Sequence, residues 1–348
     1  MHDFARKLIR WQRLHGRHDL PWQHLHDPYR IWLSEVMLQQ TRVETVLPYF
    51  ERFLARFPDV HALAASPVGE VLRLWSGLGY YARARNLHAA ARQIVRAHTG
   101  RFPQNASALE GLPGLGRSSA AAIAVFAFGK RRAILDGNAR RVLARCFGIA
   151  GFPGRSAVAR ALWSLAESQL PQRSIRAYTQ GLMDLGAMVC LRTRPLCGAC
   201  PVAARCVALR EQRVREIPAP RPRKQLPLRE ARWLLLVRRG QVLLERRPAN
   251  GLWGGLWVFP QLEARDARSA GRSLGCTIES TRALPPLDHG FTHFRLRIRP
   301  LLCEVDGNLP GRRLADRRWT DIARAARGAV PAPVRKLLRD LAVLRSGA

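Results

Sequence analysis

Four cysteines, Cys190, Cys197, Cys200 and Cys206, form a run of the type C-x6-C-x2-C-x5-C, and this run constrains the fold more than any other stretch of the chain. Thiolates are soft ligands that select zinc or an iron–sulfur cluster. Zinc sites usually pair two tight hooks, and here only Cys197 and Cys200 make one. The wider flanks suit the corners of a [4Fe–4S] cubane, which also takes four cysteines, although the spacing is neither of the ferredoxin patterns. Spacing alone therefore puts a cluster ahead of zinc and leaves both open. Two disulfides are the third reading, and the expected compartment argues against them.

That compartment follows from what the chain lacks. No apolar run approaches the length of a membrane span, and the opening MHDFARKLIRWQRLHG has no signal-peptide core. The expectation is a cytoplasmic protein whose thiols stay reduced. Cys146, Cys276 and Cys303 are scattered and read as core or free thiols.

The 348 residues suffice for two domains of ordinary size, and an apolar content of 47% supports real cores. Lys and Arg number 58 against 25 Asp and Glu, a formal charge of +33 that calls for a polyanionic partner, most simply nucleic acid. Nearly all of the excess is Arg; the only lysines are Lys7, Lys130, Lys224 and Lys336. Such a skew can follow genomic base composition, so the sign of the charge carries the argument and its size does not.

Residues 1–210 read as helical. Segments 31–57, 61–76, 82–98, 118–128, 139–147 and 156–169 carry apolar residues at three- and four-residue steps. Residues 211–230 mix prolines with charges and read as a linker. Residues 231–348 have an α+β texture. A hairpin is expected around Arg239-Gly240, strands at 255–260 and 293–305, and helices at 264–274 and 331–345.

Several short segments bear chemistry. In 112–119, LPGLGRSS precedes an Ala-rich helix; the glycines permit a tight turn whose N–H groups face outward, as a phosphate contact requires. An ordinary helix–helix turn is the competing reading. Asp136, in LDGNARRVLAR, reads first as a helix N-cap. Glu35 stands among Trp32, Leu33, Val36 and Met37; such a carboxyl has a raised pKa and can act as a general acid, or it is a first-turn Glu favoured by the helix dipole. LGYYARARN joins aromatic rings to guanidinium groups, which suits base stacking and phosphate pairing, or a half-buried aromatic turn.

Taken together and in order, SEVMLQQT (34–41), LGYYARARNL (78–87), LPGLGRSS (112–119), LDGNARRVLAR (135–145), MDLGAMVC (183–190) and the cysteine spacing resemble the helix–hairpin–helix DNA glycosylases, the superfamily that includes endonuclease III. Within it the resemblance is to the adenine glycosylase (MutY) branch. Residues 231–348 resemble that branch's Nudix-like C-terminal domain, through GLWGGLWVFP (251–260) and HGFTHFRL (289–296).

The resemblance implies a mainly α glycosylase domain with an iron–sulfur loop, followed by an α+β Nudix-like domain. It implies a DNA-repair enzyme that flips out and removes adenine mispaired with 8-oxoguanine or G in double-stranded DNA, acting as a monomer away from membranes. Glu35 would protonate adenine N7. Asp136 would stabilise the oxocarbenium ion, by its charge or a transient covalent bond, with Asn138 placing Asp136 or the water. Gln39, Gln40, Thr41, Leu78 and Tyr80 would lie where the pair is opened. Gly114 and Gly116 would hold a backbone phosphate, and Cys190, Cys197, Cys200 and Cys206 a [4Fe–4S] cluster. Ser118 occupies the place where bifunctional relatives carry a Schiff-base Lys, so a monofunctional enzyme that leaves an abasic site is expected. The second domain lacks the clustered carboxylates of a Nudix hydrolase. It would read 8-oxoguanine through Phe291, Thr292 and His293. The competing functions are an endonuclease III-like pyrimidine glycosylase/lyase and a non-catalytic iron–sulfur DNA-binding protein.

Overall fold

Capped amphipathic helices build the first part of the chain. The computed structural model describes residues 3–222, 225–263, 266–306 and 316–346. In chain order the first helices are α1 (Asp3–His15), α2 (Pro28–Leu38), α3 (Val43–Arg56), α4 (Val60–Ala65), α5 (Val68–Trp75), α6 (Ala82–His98) and α7 (Ala106–Glu110). They are followed by α8 (Arg117–Phe128), α9 (Gly137–Phe147), α10 (Ser156–Ser168), α11 (Ile175–Asp184) and α12 (Val207–Arg210). The local chemistry sets their ends. Asp27 caps α2 ahead of Pro28, Asp136 caps α9, and Gly129 and Gly148 close α8 and α9 in the left-handed conformation. The expected helix 31–57 is two helices, because Gln39–Arg42 turns between them with Gln40 at φ 60°.

The chain divides into two compact units, Met1–Ala64 with Ala89–Arg223, and Ala65–His88 with Lys224–Ala348. In the first, one core gathers Phe4 and Leu8 of α1, Leu143 of α9, Leu182 of α11, and Ile134 and Leu135 of the segment that leads into α9. Val202 and Ala208 of the cysteine region join the same core.

Residues 65–88 group by contact with the C-terminal part of the chain. One sequence expectation changes here. The stretch read as a linker that packs no core does pack one: Ile217 is 1% exposed, and its carbonyl accepts a hydrogen bond from the Arg145 Nε–H. Residues 223 and 224 of that stretch, with Lys224, lie outside the described residues.

The second unit is built on a sheet of β1 (Leu228–Arg238), β2 (Gln241–Arg246), β3 (Trp257–Val258), β4 (Thr277–Ala283), β5 (Leu287–Gly290), β6 (Arg295–Asp306) and β7 (Arg317–Asp321). Its order is β3-β2-β1-β6-β4, with β5 paired to β6 and β7 to β2. The β1–β2 hairpin turns at Arg239-Gly240, both at positive φ, as its twist requires. β1 and β6 run parallel with Trp233 opposite Pro300. The helices of this unit are α13 (Ala267–Ser273), α14 (Ile322–Ala326) and α15 (Ala332–Ser346). Residues 264 and 265 of the helix expected at 264–274 lie outside the described residues. The strand expected at 255–260 shrinks to two residues, and β4, β5 and β7 had no sequence signal, since β4 buries only Ile278.

Candidate active site

Glu35, on α2, opens into a cavity of about 430 Å3 within the first unit. Trp22, Leu38 and Phe126 give it apolar walls, and Arg17, Gln23 and Gln180 give it polar ones. The size suits a flat, base-sized ligand. Burial pushes the Glu35 carboxyl up to about 8, and the negative charge of Asp136 adds to the effect. Glu35 therefore holds a proton at neutral pH and has one to give.

Asp136 is the N-cap of α9, as its sequence context suggests, with Oδ1 accepting from the Ala139 N–H at 2.7 Å. Capping fixes the carboxylate's orientation, so the structural and the chemical readings are compatible. Burial raises its pKa, opposed by the Ala139 and Asn138 N–H groups and by Arg141 and Arg140. Glu35 and Asp136 are thus electrostatically coupled across the site. Asn138 is held by Arg141, whose Nη2 donates to Asn138 Oδ1 at 2.8 Å and to the Gly186 carbonyl at 2.6 Å. Gly186 lies in a π-helical turn, Leu185–Val189, against the Asn138 backbone.

The hairpin between α7 and α8 carries Gly114 (φ 82°) and Gly116, the N-cap of α8. A Cβ at Gly116 would meet nothing within 4 Å, so the space beside its Cα is open. Gln39 ties the Gln39–Thr41 turn to this hairpin, its Nε2 donating to the Gly114 carbonyl at 3.4 Å and to Ser119 Oγ at 3.3 Å. Gln40 is exposed and Thr41 half-buried. Ser118, grouped by sequence with the DNA contacts, turns inward: its Oγ accepts the Leu135 N–H.

The four cysteines of the run are free thiols on a segment bent by two short 3-10 turns, Cys197–Ala199 and Ala203–Arg205. Cys190, Cys200 and Cys206 pack on the core of the first unit. Burial, opposed by the Val202 N–H and aided by the charges of Cys190, Cys206 and Cys197, raises Cys200 to about 11, as expected of thiols facing one another. Arg145, 3% exposed, donates through Nη1 to Cys190 Sγ at 3.4 Å and to the Leu191 carbonyl at 2.7 Å. Among the described residues no three His, Cys, Asp or Glu side chains are grouped for a single metal ion.

In the second unit, Phe291, Thr292 and His293 form a tight turn closed by a Phe291 N–H to Phe294 carbonyl bond of 2.9 Å. Thr292 and His293 are exposed at its tip. Phe291 is half-buried, stacked on Phe294 at 4.5 Å and set edge-on to His289 at 4.7 Å, so it supports the turn from behind. Leu78, expected at an opened base pair, is 5% exposed and belongs to the packing of its own turn. Tyr80, at φ 47° and 47% exposed, presents the ring there.

Sequence reasoning missed Gln23, Gln180, Arg141 and Gly186. Arg141 and Gly186 lay inside quoted motifs without a role. Gln23 sits in an irregular segment where no periodicity marks it; its Nε2 is buried without a hydrogen-bond partner beside the cavity.

A helical unit with a Gly-rich hairpin, two coupled half-buried carboxylates and a four-cysteine loop defines a helix–hairpin–helix base-excision DNA glycosylase. The pattern of HhH-GPD superfamily base excision DNA repair proteins matches residues 33–168, and that of the NUDIX domain residues 232–340. The adenine DNA glycosylase of Buchnera aphidicola (subspecies Acyrthosiphon pisum) is 32% identical over 97% of this chain and 97% of its own length. The human adenine DNA glycosylase is 32% identical over 88% of this chain and 68% of its own. A thermostable thymine-DNA glycosylase of known structure superposes with a TM-score of 0.54 at 30% identity, over 60% of this chain and 95% of its own. The chain belongs to the adenine DNA glycosylase family.

Proposed function

We propose that this chain hydrolyses the N-glycosidic bond of adenine paired with 8-oxoguanine or G in double-stranded DNA, leaving an abasic site. The observation that carries the reading is the Glu35 carboxyl, raised to about 8 at a base-sized cavity and coupled to Asp136. The adenine leaves the stack to reach its reactive atoms. Glu35 donates its proton to N7, and the electron pair of the glycosidic bond passes to the base as it departs. Ionised Asp136 faces the oxocarbenium ion and stabilises it by charge or by a transient ester. Water then adds to the sugar carbon, with Asn138 near the attacking side.

The N–H groups around Gly114 and Gly116 hold a backbone phosphate. Gln40, Thr41 and the exposed Tyr80 ring stand at the opened pair. Cys190, Cys197, Cys200 and Cys206 hold a [4Fe–4S] cluster: a donor set of thiols alone suits iron–sulfur ligation. A cluster bound there would brace the loop, whose Arg192, Arg194 and Arg205 offer positive charge to DNA. In the second unit Thr292 and His293 read the lesion opposite adenine, with Phe291 behind them. Ser118 has no amine to form a Schiff base, so the enzyme is monofunctional. Among the described residues no helix is long and apolar enough to cross a membrane.

The test is single-turnover incubation with a duplex carrying one A:8-oxoguanine pair, resolved with and without alkali. Strand cleavage only after alkali is expected. Cleavage without alkali, or a borohydride-trapped lysine adduct, would favour endonuclease III-like lyase chemistry. Tight binding with no base release would favour a non-catalytic DNA-binding protein.

A further inference from the structure

The turn Leu78–Arg83 is built into the second unit through hydrogen bonds that reach more than two hundred residues along the chain. Ser76, 7% exposed, is their hub. Its hydroxyl donates to the Val330 carbonyl at 2.8 Å and accepts from Arg335 Nη2. The Tyr81 hydroxyl donates to the same Val330 carbonyl at 3.3 Å. Arg335, on α15, also donates to the Ala326 carbonyl at 3.1 Å, so its guanidinium bridges the end of α14 to the end of α5. Arg85 donates to the Gly254 carbonyl at 2.9 Å. Between these anchors the turn is fixed locally: Trp75 Nε1 donates to the Gly79 carbonyl at 3.2 Å, and Arg83 stands over the rings of Trp75 and Tyr80 at 5.4 and 5.6 Å. Only the Tyr80 ring is left projecting, on a backbone at positive φ that a non-glycine residue keeps only when its surroundings hold it.

We infer that Arg335 and Val330 are positioning residues for the Tyr80 turn, so that the unit bearing the lesion-reading turn also carries the element that opens the base pair. The inference rests on the proposed place of Tyr80 at the opened pair and extends it: lesion contact and base opening belong to one compact unit, joined by the bonds of Arg335 and Val330 within it. A planar guanidinium supplies several N–H donors in fixed directions, which an aliphatic chain of similar length cannot replace.

The experiment uses the full-length protein and a duplex with 2-aminopurine next to the target pair, whose fluorescence rises on unstacking. Arg335→Met is expected to lower the unstacking equilibrium about tenfold, the effect of losing a charged hydrogen bond. Excision of an adenine already unpaired in a bulge should keep the parent rate, a split that general loss of structure would not produce. Parent-like unstacking in Arg335→Met, or equal losses on both substrates, would overturn the inference. Tyr80→Ala is measured alongside. If it leaves unstacking unchanged, the proposed role of Tyr80 itself fails. If it removes unstacking while Arg335→Met does not, only the positioning inference fails. Should Arg335→Met not fold, the Ser76→Ala/Tyr81→Phe double variant decides by the same readouts.

Discussion

The Ser118 hydroxyl accepts a hydrogen bond from the Leu135 N–H at 3.0 Å, one residue before Asp136. The first turn of α8 is thereby tied to the segment that leads to the carboxylate, and Gly116 of the hairpin is two residues from the tie. Ser118→Ala leaves the Leu135 N–H without its acceptor in a half-buried place. The expected cost is about 1 kcal/mol of stability. Adenine release should slow about tenfold as Asp136 loses its register. DNA affinity should hold, since the hydroxyl faces inward. Denaturant melts, single-turnover rates and binding titrations separate these effects; an unchanged rate would show that the α9 cap alone fixes Asp136.

The Glu35 carboxyl gives the pH dependence a definite sign. Its pKa is raised by burial and by Asp136, from 4.5 to about 8. In the proposed mechanism the protonated acid is the working form, so the rate should fall as pH rises through about 8. The stability term runs in the same direction. Between 4.5 and about 8 the folded chain binds more protons than the unfolded one, so the Glu35 contribution weakens with rising pH across that window. Glu35→Gln should abolish base release and yet melt higher at neutral pH, by on the order of 2 kcal/mol. That gain should vanish below pH 4.5, where the parent carboxyl is protonated in both states. A lower melting point for the variant at neutral pH would contradict the raised pKa.

Thr292 and His293 form an exposed tip, with the Thr292 Oγ1 and His293 Nδ1 only 3.2 Å apart. Because Phe291 holds the turn from behind, Thr292→Ala with His293→Ala should leave the fold intact. The rate on A:G should stay within about twofold of the parent, while the preference for 8-oxoguanine falls about tenfold, the worth of one or two polar contacts. Competition between the two duplexes in one tube measures this. Equal losses on both would mean that the tip grips DNA without reading the lesion.

What the sequence discloses depends on how local the determinant is. Glu35 is legible because its buried neighbours are adjacent in sequence, and the β1–β2 hairpin is legible because Arg239-Gly240 punctuates two apolar runs. The Asp136 cap is legible from one position. Ser76, Val330 and Arg335 carry no such mark, since the bonds between them exist only once distant segments meet. β4 escapes because an edge strand with one buried side chain has no alternation to read. Ile217 escapes because a proline- and charge-rich stretch reads as solvated, whereas Arg145 and the core of the first unit capture it. Gln23 is invisible for the same reason: its irregular segment becomes a cavity wall only after folding.

Gly186 gives the sharpest steric test of the catalytic loop. A Cβ built there lies 2.5 Å from Asn138 Cβ and 2.9 Å from Asn138 Cα. The obstacle is backbone at the start of α9, not the end of a flexible chain, so it cannot step aside cheaply. The Gly186 carbonyl also accepts from Arg141, which holds Asn138 from its other side, so the two segments cannot separate without breaking that bond at 2.6 Å. Gly186→Ala should therefore cost about 1–3 kcal/mol of stability. It should also displace Asn138 and its neighbour Asp136 together, slowing base release by about a hundredfold, as misplacement on the scale of an ångström does. DNA affinity, which the proposal assigns to the hairpin and the cationic surface, should change little. Parent-like release from Gly186→Ala would mean that the start of α9 shifts without moving the carboxylate, and the close approach of Gly186 to Asn138 would then be a packing feature of no consequence for the chemistry.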